Sequence, residues 1–175
     1  MREPEPETVR RAGSGDPAAF EQLVRAFQGD VYRLVIHLVR DPPTAEDVTQ
    51  EAFIKAYRSL RRFRWQSKFS TWLFRIARNC AVDAIRHRER ARRLIREVSE
   101  PSPAPDSSLR AALSDAIESL PRELREAFVL IEVFGFSYGE TADVLSVPAG
   151  TLKSRMHRAR GLLVDALEER DADEV

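Results

Sequence analysis

The chain has 175 residues, with 28 Lys and Arg against 28 Asp and Glu and one cysteine, Cys80. That length allows one or two domains with modest cores, and a lone cysteine excludes an intrachain disulfide or a Cys-based metal site. Long alternating β patterns and apolar runs near the roughly 18 residues of a membrane span are both absent, and no signal peptide precedes the acidic start, so an almost wholly helical cytosolic protein is expected.

Residues 1–15 are polar and proline-containing and read as a mobile N-terminal segment. Asp16-Pro17 opens a helix in the order N-cap, then proline at the first helical position. Phe20, Leu23, Val24, Phe27, Val31, Leu34, Val35 and Leu38 make its apolar stripe, and Gly29 is where it would bend or divide. His37, beside the stripe, reads as a partly buried, satisfied side chain and not as a ligand.

Asp41-Pro42-Pro43 stops that helix, and Thr44 with Asp47 has capping-box spacing for the next. Val48, Ala52, Phe53, Ala56, Tyr57 and Leu60 are expected to face a core. The opposite face carries Asp47, Gln50, Glu51, Ile54 and Arg58. It reads either as a solvated face, supported by the Glu51–Lys55 i,i+4 pair, or as a docking patch, favoured by an apolar Ile54 ringed with charge.

From Arg61 to Phe69 there are four cations and three aromatics without periodicity. Aromatic faces stack unpaired bases while cations hold phosphates, so Phe63, Arg64, Trp65, Ser67, Lys68 and Phe69 have the composition of a single-strand binder. The alternative is a loop whose aromatics plug the end of the domain. Ser70 is the expected N-cap of a helix whose apolar side is Leu73, Ile76, Ala77, Cys80 and Ala84. A helical wheel places Trp72, Arg75, Arg78, Asn79, Val82, Arg86 and Arg93 on the other side, where arginine and asparagine can contact phosphates and base edges. Between Arg61 and Arg96, twelve Lys and Arg face two acids, Asp83 and Glu89, a local charge of +10 in a neutral chain. Such polarisation is an electrostatic footprint for nucleic acid.

Residues 97–108 alternate proline with small and acidic residues and are expected to form a flexible linker. The domain boundaries read 16–96 and 109–168, with an acidic tail at 169–175. In the second domain Leu109, Leu113, Ala116, Ile117 and Leu120 mark one helix. Leu124, Ala127, Phe128, Ile131 and Phe134 mark the next, ending at Gly135. Ser137 and Glu140 form a capping box for a short helix, and Ser146-Val147-Pro148 turns into a longer one. Helix, tight turn, helix is the spacing of a helix-turn-helix, whose second helix enters the major groove. On that helix Leu152, Met156, Ala159 and Leu163 are expected inward. Lys153, Ser154, His157 and Arg158 are expected outward, flanked by Arg155 and Arg160. The fold class is therefore all-α: two small helical domains joined by a flexible linker, the second containing a helix-turn-helix.

Three stretches together resemble the sigma factors of bacterial RNA polymerase, of the compact extracytoplasmic-function (group IV) type. They are the run from Ala45 to Phe53, the run from Phe69 to Asn79, and the run from Gly150 to Arg160, with Leu120-Pro121, Arg125 and Phe128 also matching. The resemblance covers the chain from Asp16 to about Leu167. It implies a transcription initiation factor without catalytic residues, metal or cofactor. Asp47, Gln50, Glu51 and Ile54 would dock on the β′ clamp helices of polymerase core, with further contacts to the β subunit. Phe63, Arg64, Trp65, Ser67, Lys68 and Phe69 would capture a flipped base and help melt the −10 element. Trp72, Arg75, Arg78, Asn79 and Arg86 would contact that element, while Lys153, Ser154, Arg155, His157 and Arg158 would read the −35 element. Promoter DNA would be bound both as duplex and as melted single strand.

The resemblance also implies an anti-sigma factor and a cytoplasmic location, with the anti-sigma factor as a means of holding the chain at the membrane. Relatives often carry glycine where Trp65 and Ser146 stand: the first departure bears on the shape and base preference of the base-capturing loop, and the second implies backbone strain at Ser146 if that position needs positive φ. An ordinary two-domain helix-turn-helix regulator would explain residues 135–163 equally well but leaves the aromatic loop and the Ile54 face without a role. An enzyme acting on nucleic acid would need convergent carboxylates, a nucleophile arrangement or a phosphate-binding glycine loop, and the sequence offers none.

Overall fold

A computed structural model describes residues 2–94 and 109–173. The expected linker at 97–108 lies outside the described residues. The described part is helical, with no strand.

The N-terminal segment departs from expectation. Pro6–Gly13 forms helix α1, with proline in its first turn and Val9 and Ala12 buried on one side. Two apolar residues three apart suffice here because helices α2 and α3 are there to receive them. Helix α2 (Pro17–Val39) starts as expected: the Asp16 carboxylate accepts hydrogen bonds from the Ala18 and Ala19 amides. It runs unbroken through Gly29 and ends at Arg40, whose φ of +58° is the left-handed cap conformation.

Helix α3 (Pro42–Leu60) begins three residues earlier than the Thr44 capping box would have it. Asp41 is the N-cap, accepting from the Thr44 amide at 3.0 Å, and the two prolines occupy the first turn, where no amide hydrogen is needed. Helix α4 (Phe69–Leu94) likewise begins before its expected cap. Ser70 is buried inside it, and its amide donates to the Glu3 carboxylate at 3.1 Å, so the cap comes from the N-terminal arm. Helices α2, α3 and α4 pack on one another around Leu23, Phe27, Leu34, Ala52, Leu73 and Ala77. Fully burying an apolar side chain of this size contributes about 1.5–3 kcal/mol, so these contacts hold the three helices together.

The second half consists of α5 (Leu109–Ser119), α6 (Arg122–Phe128), a wide π-helical turn at Val129–Val133, α7 (Tyr138–Leu145) and α8 (Ala149–Asp173). Helix α8 continues through residues assigned to the acidic tail. Leu113, expected in the core, is exposed, while Ala116, Ile117 and Leu120 are buried. Arg125 is buried and donates to the carbonyls of Glu118 and Leu120, which ties α6 to the end of α5. The capping box is present, with the Glu140 amide donating to Ser137 Oγ and the Ser137 amide donating to the Glu140 carboxylate. Leu152, Met156, Ala159 and Leu163 of α8 are buried, as the apolar spacing requires.

Trp65 and Ser146 both have positive φ, +58° and +55°. A left-handed residue other than glycine costs roughly 1–2 kcal/mol. Ser146→Gly is therefore expected to stabilise the chain by about 1 kcal/mol, after allowing for the extra freedom glycine gives the unfolded state. Urea denaturation of the two proteins checks this.

The two halves do not stand apart. Phe74 of α4 is completely buried, with the rings of Phe134 and Phe136 at 5.1 and 5.0 Å. Gly135 (φ +72°) makes the turn between those two phenylalanines. The Arg33 guanidinium lies 5.7 Å above the Phe134 ring. The buried apolar residues of both halves thus form one continuous cluster.

Candidate nucleic-acid interface

On α3, Asp47, Gln50 and Glu51 are exposed, and Ile54 keeps 51% of its surface. Glu51 pairs with Lys55 at 2.7 Å, as the i,i+4 spacing predicts. Tyr57 was expected in the core but is 47% exposed, its ring edge on Phe20 at 4.8 Å. Being three residues from Ile54, it enlarges the apolar patch on this acidic face. Phe53, its neighbour in the pattern, is buried.

The loop 61–68 joins α3 to α4 through a cluster of four aromatic rings. Phe63 is central, with Trp65 at 5.1 Å, Trp72 at 5.2 Å and Phe69 at 6.2 Å. Phe69 is only 2% exposed and packs on Phe27 at 5.5 Å, so it anchors the cluster in the core and is not a surface for DNA. Trp65 is the exposed member, at 47%. Between the cluster and α4 lies a cavity of about 140 Å³ lined by Arg62, Phe63, Arg64, Ser67, Trp72 and Arg75. Its lining combines aromatic rings with arginine side chains, the residue types that hold an unpaired base and its phosphate.

Along α4 the expected polar face divides. Asn79 and Arg86 are exposed and Trp72 and Arg75 half-buried, but Val82 is buried. Arg78 is occupied: its Nε and Nη2 donate to Glu126 Oε2 at 3.2 and 2.9 Å. Glu126 is 1% exposed and has Arg122 3.7 Å from its other oxygen. Arg78 is thus a bond between the two domains, not a free DNA contact. Lys68 is also spoken for, with its Nζ 2.7 Å from Glu140 Oε1. The Lys68 ammonium, with the Ser137 cap, pulls the Glu140 carboxyl down to about 2 from an ordinary 4.5. A depressed acid stabilises the fold above its unfolded value and ceases to do so as pH falls through its folded one. The stability difference between the wild type and Glu140→Gln is therefore expected at full size above pH 4.5 and to vanish towards pH 2, read by thermal melts across that range.

Helix α7, the turn at 146–148 and α8 have helix-turn-helix order. Lys153, Ser154, His157 and Arg158 are exposed together on α8. Arg155 pairs with Glu123 at 3.1 Å and Arg160 with Glu132 at 2.8 Å, so these two hold α8 to the π-turn and α6. Arg158 and Arg86 line a shared cleft of about 630 Å³ between the domains, together with Arg40, Arg88, Arg122 and Arg125.

Residues 23–91 match the model of sigma-70 region 2, and residues 110–163 match that of sigma-70 region 4. The chain belongs to the ECF RNA polymerase sigma factors. It is 42% identical over 171 residues to the ECF sigma-E factor of Escherichia coli, covering 87% of this chain and 88% of that one. It is 36% identical over 184 residues to the sigma-H factor of Pseudomonas aeruginosa, covering 95% of each. Among solved structures, the sigma factor RpoE of Bartonella quintana, in complex with the anti-sigma factor NepR, superposes with a TM-score of 0.75 at 28% identity, over 85% of this chain and 96% of that one. CnrH, in complex with the cytosolic domain of CnrY, gives a TM-score of 0.72 at 28% identity, over 93% and 96%. Membership makes this sigma factor a DNA-binding transcription initiation factor. Among its described residues no helix is long and apolar enough to cross a membrane.

What sequence reasoning missed is Tyr57 on the α3 face, the N-terminal arm, Glu126 and Phe136, and the interdomain role of Phe134, which was read only as an apolar residue of its own helix. Proline at the head of α1 and the Val9–Ala12 spacing were legible signals for the arm. Nothing local marks Glu126 as the partner of an arginine 48 positions away.

Proposed function

We propose that this sigma factor, of the group IV type, docks on the β′ clamp helices of polymerase core through Asp47, Gln50, Glu51 and Ile54, with Tyr57 completing the patch, while contacts to the β subunit hold its second domain. Trp65 and Phe63, with Arg64 and Ser67 beside the cavity, capture an unpaired base of the −10 element. Trp72, Arg75, Asn79 and Arg86 track that element along α4, and Lys153, Ser154, His157 and Arg158 read the −35 element. The observation that carries this reading is the pairing of two unlike surfaces on one domain, an acidic-apolar face on α3 and a basic-aromatic one on the loop and α4. The chain performs no chemistry of its own. Melting costs about 1.4 kcal/mol per base-pair step, and stacking one extruded base returns roughly 1–3 kcal/mol, so polymerase core must supply the remainder.

The closed arrangement cannot read both elements. Their separation of 25 positions is roughly 85 Å of duplex at 3.4 Å per base pair, whereas Arg86 and Arg158 line a single cleft. The domains therefore separate on the promoter, freeing Arg78 and Lys68 for DNA. An anti-sigma factor, the kind of partner seen with the Bartonella relative, is the inhibitor that would oppose this step. The working compartment is the cytoplasm, where core polymerase is found, and a membrane-anchored inhibitor would hold the factor at the membrane. The test is promoter-directed initiation with sigma-free core on a genomic fragment library. The wild type should give discrete start sites, and Asp47→Arg/Glu51→Arg should lose them together with core binding. Binding to duplex DNA without any engagement of core would defeat the proposal.

A further inference from the structure

The N-terminal arm touches the aromatic loop at Trp65 and the two helix ends that flank it. Gly13 lies beside Leu60, where a Cβ would be in ordinary contact with the Leu60 carbonyl at 3.5 Å. The Arg10 guanidinium lies 5.5 Å over the Trp65 ring. The Glu3 carboxylate accepts from the Ser70 amide at 3.1 Å and so caps the helix into which the loop runs. Val9 and Ala12, both buried, fix the helix that carries Arg10 and Gly13, and Glu3 lies just before that helix. Trp65 needs such support, since its backbone is left-handed and almost half its surface is open to water. Apart from Phe63, its described ring contacts include only this guanidinium.

We propose that Arg10 is a positioning residue for base capture, holding the Trp65 ring in the orientation in which it stacks an unpaired base. The inference rests on the base-capture role given above to Trp65. A guanidinium above an indole is attracted to the ring's negative face and restricts the side chain's rotamers before DNA arrives. A ring fixed in advance loses less freedom on binding, so the gain appears in the rate and stability of opening and not in duplex recognition. Arg10 itself need not touch DNA.

The test follows open-complex formation by the full chain with polymerase core, on an intact promoter and on promoters carrying one abasic site at each −10 position in turn. A cation–π contact at an exposed site is worth a factor of roughly two to five. Arg10→Ala is expected to slow opening by that factor on the intact promoter, and Arg10→Lys to recover part of it. The deficit should disappear where the captured base is missing, and again in a Trp65→Gly background. An equal deficit on intact and abasic promoters would mean that Arg10 only supports the fold, and the proposal falls. A wild type that slows at one abasic position while Arg10→Ala matches it everywhere also overturns the proposal and leaves base capture standing. A wild type indifferent to every abasic site removes base capture, and the role of Arg10 with it.

Discussion

Arg78→Met is expected to destabilise the chain by about 3–5 kcal/mol, whereas Glu126→Met should cost far less or nothing. The asymmetry follows from where each charge can go. Glu126 is 1% exposed, and with Arg78 removed its carboxylate keeps only Arg122 at 3.7 Å. Arg78 retains 20% exposure, so once Glu126 is gone its guanidinium can reach water. Breaking a buried pair by removing the exposed partner strands the buried charge, while removing the buried one replaces it with packing. Urea denaturation of both variants measures the difference. The functional signs should be opposite as well. Glu126→Met frees Arg78 for DNA and should raise promoter occupancy at limiting core, whereas Arg78→Met should lower it despite loosening the closed form.

Phe74→Ala should cost about 3–5 kcal/mol and separate the domains. Phe74 belongs to the first domain's helix α4, yet its ring is shared with Phe134 and Phe136 of the second. Truncation therefore leaves a cavity at the seam, where the two halves can relax by moving apart instead of collapsing. The expected result is an increased radius of gyration in small-angle scattering and a single unfolding transition split into two. A variant that loses stability but remains compact would show that the ion pairs, and not the phenylalanine cluster, hold the closed form.

The parts of this molecule visible in its sequence are those set by local rules. The apolar spacing of α2, α3 and α8, the Asp16-Pro17 start and the Ser137–Glu140 capping box depend on residues within two turns of each other, and these were readable. Helix starts were misplaced where the cap came from outside the expected window: Asp41 for α3, and Glu3, far along the chain, for α4. Ser146 could be named as a candidate strain site because glycine would suit a left-handed backbone there, and it is left-handed; Trp65 is left-handed as well, where the sequence had signalled only a change of loop shape. Phe69, Arg78 and Lys68 show the limit of reading type and spacing. Each has the chemistry of a DNA contact, yet Phe69 is core and the other two are held by acids of the second domain. Long-range pairing decided their roles, and no periodicity records it.

The measurement that bears most directly on the account is the distance between the two domains during initiation. Donor and acceptor dyes placed through Asp83→Cys on α4 and Asp165→Cys on α8 would report it, since both positions are exposed while Cys80 is buried and spared from labelling. The free chain should show efficient energy transfer. Core polymerase with promoter should abolish it as the domains move towards the roughly 85 Å spacing of their elements. High transfer efficiency persisting in complexes that initiate RNA synthesis would contradict the account, because the closed form would then itself be the working one.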